Sequence, residues 1–259
     1  MPAQPRTAPT PDKSLLTAWL LLLLRDGEER HGWGLVSALR ADGMGVEPGR
    51  AYRILRELDE GGALSSRWTV SVNGPKRRTY RLTRAGRERL DQLAAGIRAT
   101  WGLHTAFLRA YERPLDDLPE PLDPSETPDP PAELRDESDA PASDVPAQPH
   151  LTRELLAAWL LLLIARHASY GYGLRRALDE SDVHPDAAVL YRLLRRLEHT
   201  GWLDSRWMEP AAGPRRRFYR VTARGRRNLD DVARVIVALR DNHAAFLDAY
   251  DGRVKAQVS

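Results

Sequence analysis

Two heptapeptides carry the residues best suited to act on an anion: Tyr52-Arg53-Ile54-Leu55-Arg56-Glu57-Leu58 and, 139 residues later, Tyr191-Arg192-Leu193-Leu194-Arg195-Arg196-Leu197. In both, the apolar residues (Ala51, Ile54, Leu55, Leu58; Leu190, Leu193, Leu194, Leu197) recur at helical spacing, which leaves the tyrosine and arginines on the opposite face. Guanidinium groups in such a row can pair with phosphates and reach base edges. Beyond each helix comes a second basic cluster, Lys76-Arg77-Arg78 and Arg215-Arg216-Arg217. Other chemistries lack their residues. The chain has no cysteine, which excludes disulfides and thiolate metal sites and fits a cytoplasmic setting. His104 and His243 recur at equivalent places but have no second ligand at i+4. No nucleophile–base pair, phosphate-cradling glycine loop or paired carboxylates stand out, so the expectation is a non-enzyme without cofactor or metal.

The elements that position these residues repeat with them. After the first basic helix, Leu64, Trp68, Val70 and Val72 alternate with polar residues, and Asn73-Gly74-Pro75 turns the chain into Lys76 to Leu82. The second copy runs from Leu203 to Met208, turns near Gly213-Pro214 and returns through Arg215 to Val221. Upstream, Leu15 to Leu24 and Leu155 to Ile164 read as first helices that are apolar nearly all round. They are too short for the ~20 residues of a membrane span. Their recurrence in mid-chain argues against a signal peptide and for burial, one side in the helix's own domain and the other at an interface. Ser14 is the expected cap of the first helix. Gly32 and Gly171 open second helices, Pro48 suits the first turn of the third, and Asp186 is the better cap in the second copy.

Thr83 and Thr222 are expected to cap long fourth helices running to about Tyr111 and Tyr250. Leu90, Leu93, Ile97, Trp101, His104 and Leu108 form a seam of coiled-coil spacing, matched by Leu229, Val232, Ile236, Arg240, His243 and Leu247. Between the copies, residues 112–150 hold ten prolines, and twelve acids against Arg113 and Arg135. Against a total charge of +3, that leaves about +13 on the remainder: two basic modules on an acidic tether. The expected organisation is a disordered lead (1–13), a first domain (14–111), an unstructured linker (112–150), a second domain (151–250) and a tail (251–259).

A helix followed by a basic-tipped hairpin is the layout of a winged helix-turn-helix. The motifs around it resemble the PadR family of bacterial transcriptional regulators: His31-Gly32-Trp33, Pro48-Gly49-Arg50-Ala51-Tyr52, Arg67-Trp68, Gly74-Pro75 followed by Lys76 to Thr83, and Gly86. The resemblance covers about residues 14–111 and again 151–250. It implies winged helix-turn-helix domains with C-terminal dimerisation helices, usually in a homodimer on a near-palindromic operator. Such proteins often repress, and are sometimes released by a planar or phenolic effector. Here two copies are fused, so the expected architecture is mainly α with small β-hairpin wings, paired as an intramolecular pseudo-dimer.

The expected DNA-binding residues are Arg50, Tyr52, Arg53, Arg56, Tyr191, Arg192 and Arg195 on the helices, and Lys76, Arg77, Arg78, Arg215, Arg216 and Arg217 on the wings. The family usually has a small hydroxyl residue two places before the tyrosine; this chain has Arg50 in one copy and Val189 in the other. Arginine can grip guanine with two hydrogen bonds whereas valine offers only an apolar contact, so the half-sites should differ. Glu47 and Asp186 would repel phosphate nearby. Trp101 on the seam reads first as core. Its functional reading is a platform for a planar aromatic effector, with Trp19 and Trp159 as walls and Arg240 available to a carboxylate. The partner expected is double-stranded DNA. The alternatives are a ligand-binding or protein-interaction module that keeps the fold without strong DNA affinity, and an exchange of halves between two chains.

Overall fold

The computed structural model describes residues 12–41, 44–69, 76–113, 151–166, 169–208 and 215–258. The element order is α1 (Lys13–Leu22), β1 (Arg30–His31), α2 (Gly32–Ala41), α3 (Pro48–Glu60), β2 (Leu64–Thr69), β3 (Arg77–Leu82) and α4 (Arg84–Glu112). It then repeats as α5 (Arg153–Arg166), β4 (Ser169–Tyr170), α6 (Gly171–Glu180), α7 (Ala187–His199), β5 (Leu203–Met208), β6 (Arg216–Val221) and α8 (Ala223–Val258). Most of the expected linker, the N-terminal lead through residue 11, and both wing turns at Asn73-Gly74-Pro75 and Gly213-Pro214 lie outside the described residues.

Each repeat folds a three-stranded antiparallel sheet beside three helices, with strand orders β1-β3-β2 and β4-β6-β5. Leu64 pairs with Leu82 and Trp68 with Arg78; in the second sheet Leu203 pairs with Val221 and Trp207 with Arg217. The two-residue strands β1 and β4 are too short to show a period-two pattern in the sequence. Trp68 departs from the alternation read for its strand: it is 65% exposed, as is Trp207 at 59%.

Local chemistry explains the helix boundaries. Asp12, rather than Ser14, caps α1, its carboxylate accepting from the Leu15 amide at 2.6 Å. Pro48 stands in the first turn of α3, and Asp186 caps α7 by accepting from the Ala188 and Val189 amides. Thr83 Oγ1 accepts from the Gly86 amide and donates to the Gly62 and Ala63 carbonyls, which ties the start of α4 to the turn after α3. Thr222 repeats this with Gly225, Gly201 and Trp202. The close approach requires glycine, since a Cβ on Gly86 would lie 2.1 Å from the Ala63 oxygen and one on Gly225 2.2 Å from that of Trp202.

The chain divides into two compact units that do not follow the repeat boundary: residues 1–101 with 238–259, and residues 102–237. In the first unit α1 is buried from Leu15 to Leu22, and its second apolar side meets the far end of α8. Phe246 is fully buried, its ring edge-on to Trp19 at 5.6 Å. Tyr250 donates to Asp91 at 2.6 Å, and Arg98 pairs with Asp251 at 2.8 Å. The second unit makes the reciprocal arrangement with the far end of α4: Phe107 lies edge-on to Trp159 at 5.6 Å, and Tyr111 donates to Asp230 at 2.7 Å. Each fourth helix thus completes the core of the other repeat. At the C-terminus α8 runs to Val258 instead of ending near Tyr250 with a tail.

Candidate nucleic-acid interface

In the first unit, α3 buries Ala51, Ile54, Leu55 and Leu58 and turns Tyr52, Arg53 and Arg56 outward; Arg50 is half-buried. Tyr52 is held in place by its neighbour in α2. A Cβ on Gly32 would come within 2.8 Å of the Tyr52 ring, so only glycine allows the ring to pack there. Lys76 and Arg77 on the wing are exposed. Between helix and hairpin opens a cleft of about 690 Å3, lined by Arg56, Lys76 and Arg77 together with Tyr52, Trp33 and Trp68. Trp33 is 70% exposed, so the cleft combines cations with free aromatic faces. Neither Trp33, in α2, nor Trp68, in β2, was among the residues expected to bind DNA.

In the second unit α7 repeats the arrangement, burying Leu190, Leu193, Leu194 and Leu197 and exposing Arg192 and Arg195. Tyr191 is less open than Tyr52, and burial pushes its hydroxyl pKa up. Arg215 is exposed; the side chain of Arg216 lies outside the described residues.

Two of the expected wing cations face elsewhere. The Arg78 guanidinium donates to Asp59 at 2.5 Å and to Ser66 at 2.8 Å, and the Ser66 hydroxyl donates to Asp59 at 2.9 Å. Arg217 likewise donates to both oxygens of Glu198 (2.9 and 2.7 Å) and to Ser205 at 2.8 Å. Both side chains are about one-third exposed, and each guanidinium lies over a strand tyrosine, Tyr80 or Tyr219. These clusters join the last turns of α3 and α7 to their hairpins. Sequence reasoning missed them, although Asp59 and Ser66 have counterparts in Glu198 and Ser205 at the repeat offset.

Trp19 belongs to one core and Trp159 to the other, each closed by a phenylalanine. Trp101 is half-buried against the first core, and Arg240 pairs with the adjacent Asp241 at 2.8 Å. His104 and His243 are buried, and burial holds the His243 pKa below its usual value. Among the described residues there is no cluster of potential metal ligands and no helix long and apolar enough to cross a membrane.

Three helices, a short strand and a two-stranded wing, present twice, define a tandem winged-helix protein. The family described as the transcriptional regulator PadR-like family matches residues 20–92 and again 160–231, and the chain belongs to it. Among solved structures, a PadR family transcriptional regulator from Eggerthella lenta is 34% identical over 37% of this chain and 84% of that one, with a TM-score of 0.33. One from Clostridium difficile is 19% identical over 36% of this chain and 97% of that one, TM-score 0.34. Bacillus subtilis PadR, solved in complex with operator DNA, is 20% identical over 72% of this chain and 93% of that one, TM-score 0.28. No curated protein matches the chain.

Proposed function

We propose that this chain is a sequence-specific DNA-binding repressor that reads a single operator with two unlike recognition helices. The observation that carries this reading is the matched exposure of Arg53 and Arg56 on α3 and of Arg192 and Arg195 on α7, each over a fully apolar back. A cationic helix face beside a basic hairpin suits phosphate contact, and Arg50 reading guanine where Val189 meets a thymine methyl makes the two half-sites differ. Arg78 and Arg217 serve as positioning residues, because their charge is spent on Asp59 and Glu198.

The test is a titration of labelled duplex over a range of salt concentrations. The logarithm of affinity should fall with that of salt by about 0.9 for each phosphate neutralised. Arg53→Ala with Arg56→Ala, and Arg192→Ala with Arg195→Ala, should each flatten that slope. A flat dependence in the unsubstituted chain rejects the DNA reading. Loss of slope from the α3 pair alone favours a second unit that keeps the fold without touching DNA.

A further inference from the structure

We infer that the cleft between α3 and the wing of the first unit binds an unpaired stretch of a single DNA strand, its bases stacked on Trp33 and Trp68 and its phosphates held by Arg56, Lys76 and Arg77. Tryptophan is highly buried on average, yet here two indoles line one cleft of about 690 Å3 and both are mostly exposed. Tyr52 adds a third ring to the wall, packed so closely on α2 that Gly32 has no room for a Cβ. The opening is also cationic. Arg56, Lys76 and Arg77 are exposed and form no ion pair among the described residues, and no described carboxylate lines the cleft. Arg78, the remaining cation of the wall, is committed to Asp59.

An intact duplex uses only part of such a site. Its phosphates and base edges can meet the cations, but each base face is covered by its neighbours in the stack and leaves the indoles nothing flat to lie on. An unpaired strand offers both groups, a charged backbone for the cations and open base faces for the rings. The stacking needs no particular base, because every base has such a face. The second repeat keeps the wing indole as Trp207 but has Tyr172 where the first has Trp33. The pair of indoles therefore belongs to the first repeat, and one strand per chain is expected. The inference goes beyond duplex recognition and shares with it only the cationic surface.

The probe is a fluorescein-labelled oligothymidylate of twelve nucleotides, titrated with the full chain at low salt and followed by fluorescence anisotropy. The comparison ligand is an abasic strand of the same length, which keeps the phosphates and lacks the bases. It should bind at least about fivefold more weakly than oligothymidylate. Trp33→Ala and Trp68→Ala should each weaken oligothymidylate binding at least about fivefold and change abasic binding by less than about twofold. Trp68→Phe keeps a ring and should retain most of the affinity. Both indoles are exposed, so the circular dichroism melts of these variants should match that of the unsubstituted chain. Equal affinity for the two strands, undiminished oligothymidylate binding by folded Trp33→Ala and Trp68→Ala, or free thymidine monophosphate binding as tightly as the strand would each overturn the assignment. No duplex enters the assay, so failure here leaves duplex recognition standing, and a flat salt dependence with duplex leaves the strand site standing.

Discussion

Replacing Phe246 by alanine should loosen the N-terminal repeat, although the substitution lies near the C-terminus of the chain. Phe246 is fully buried, with its ring 5.6 Å from Trp19 and 6.0 Å from Tyr250. Truncating a buried phenylalanine removes its transfer free energy and leaves a cavity, costing about 3–5 kcal/mol, of which the aromatic pairing accounts for about 0.5–1.5. At 1.4 kcal/mol per factor of ten, the lower figure increases the open population of the first core roughly a hundredfold. Hydrogen exchange read by mass spectrometry localises the effect. Peptides covering Leu15 to Leu24 should exchange about a hundredfold faster, while those covering Leu155 to Ile164 change little. Phe107→Ala should give the mirror image, through its contact with Trp159. Acceleration confined to the Leu155–Ile164 peptides in Phe246→Ala would refute the helix exchange.

Other substitutions examine the remaining parts of the account. Gly86→Ala places a methyl group 2.1 Å from a backbone oxygen that cannot swing away, so it should destabilise by at least the upper part of the ~1–3 kcal/mol usual for overpacking, measured by chemical denaturation. Arg77→Ala should lower the salt slope of DNA binding by about 0.9, whereas Arg78→Ala should weaken binding and leave the slope nearly unchanged; equal slope losses would mean that both contact phosphate. Burial depresses the His243 pKa, so the unfolded chain takes up its proton first as pH falls below the unfolded value near 6.5. Stability from this group is complete above that pH and declines from there toward the lower folded pKa. His243→Gln should therefore show a shallower loss between pH 7 and 5 in parallel denaturation series, and an unchanged slope would exclude the effect.

The basic helices, the wings and the duplication were legible because they rest on local periodicity and on a repeat that marks the same positions twice. The seam from Leu90 to Leu108 likewise showed that the fourth helices need a partner. What it could not show is how far each helix reaches: Phe107, Tyr111, Phe246 and Tyr250 find their partners more than fifty residues away, where spacing says nothing. The ion pairs of Arg78 and Arg217 were hidden for a related reason. In the sequence they are indistinguishable from Arg77 and Arg216, and only the strand register sends them toward Asp59 and Glu198.

Selection of duplexes from a random pool by the purified full chain shows whether the two repeats read unlike half-sites. The enriched site should have two dissimilar halves bound by one chain, and Arg50→Val should erase the base preference of one half and leave the other intact. Enrichment of a perfect palindrome, a preference indifferent to Arg50→Val, or no enrichment at low salt would contradict that expectation.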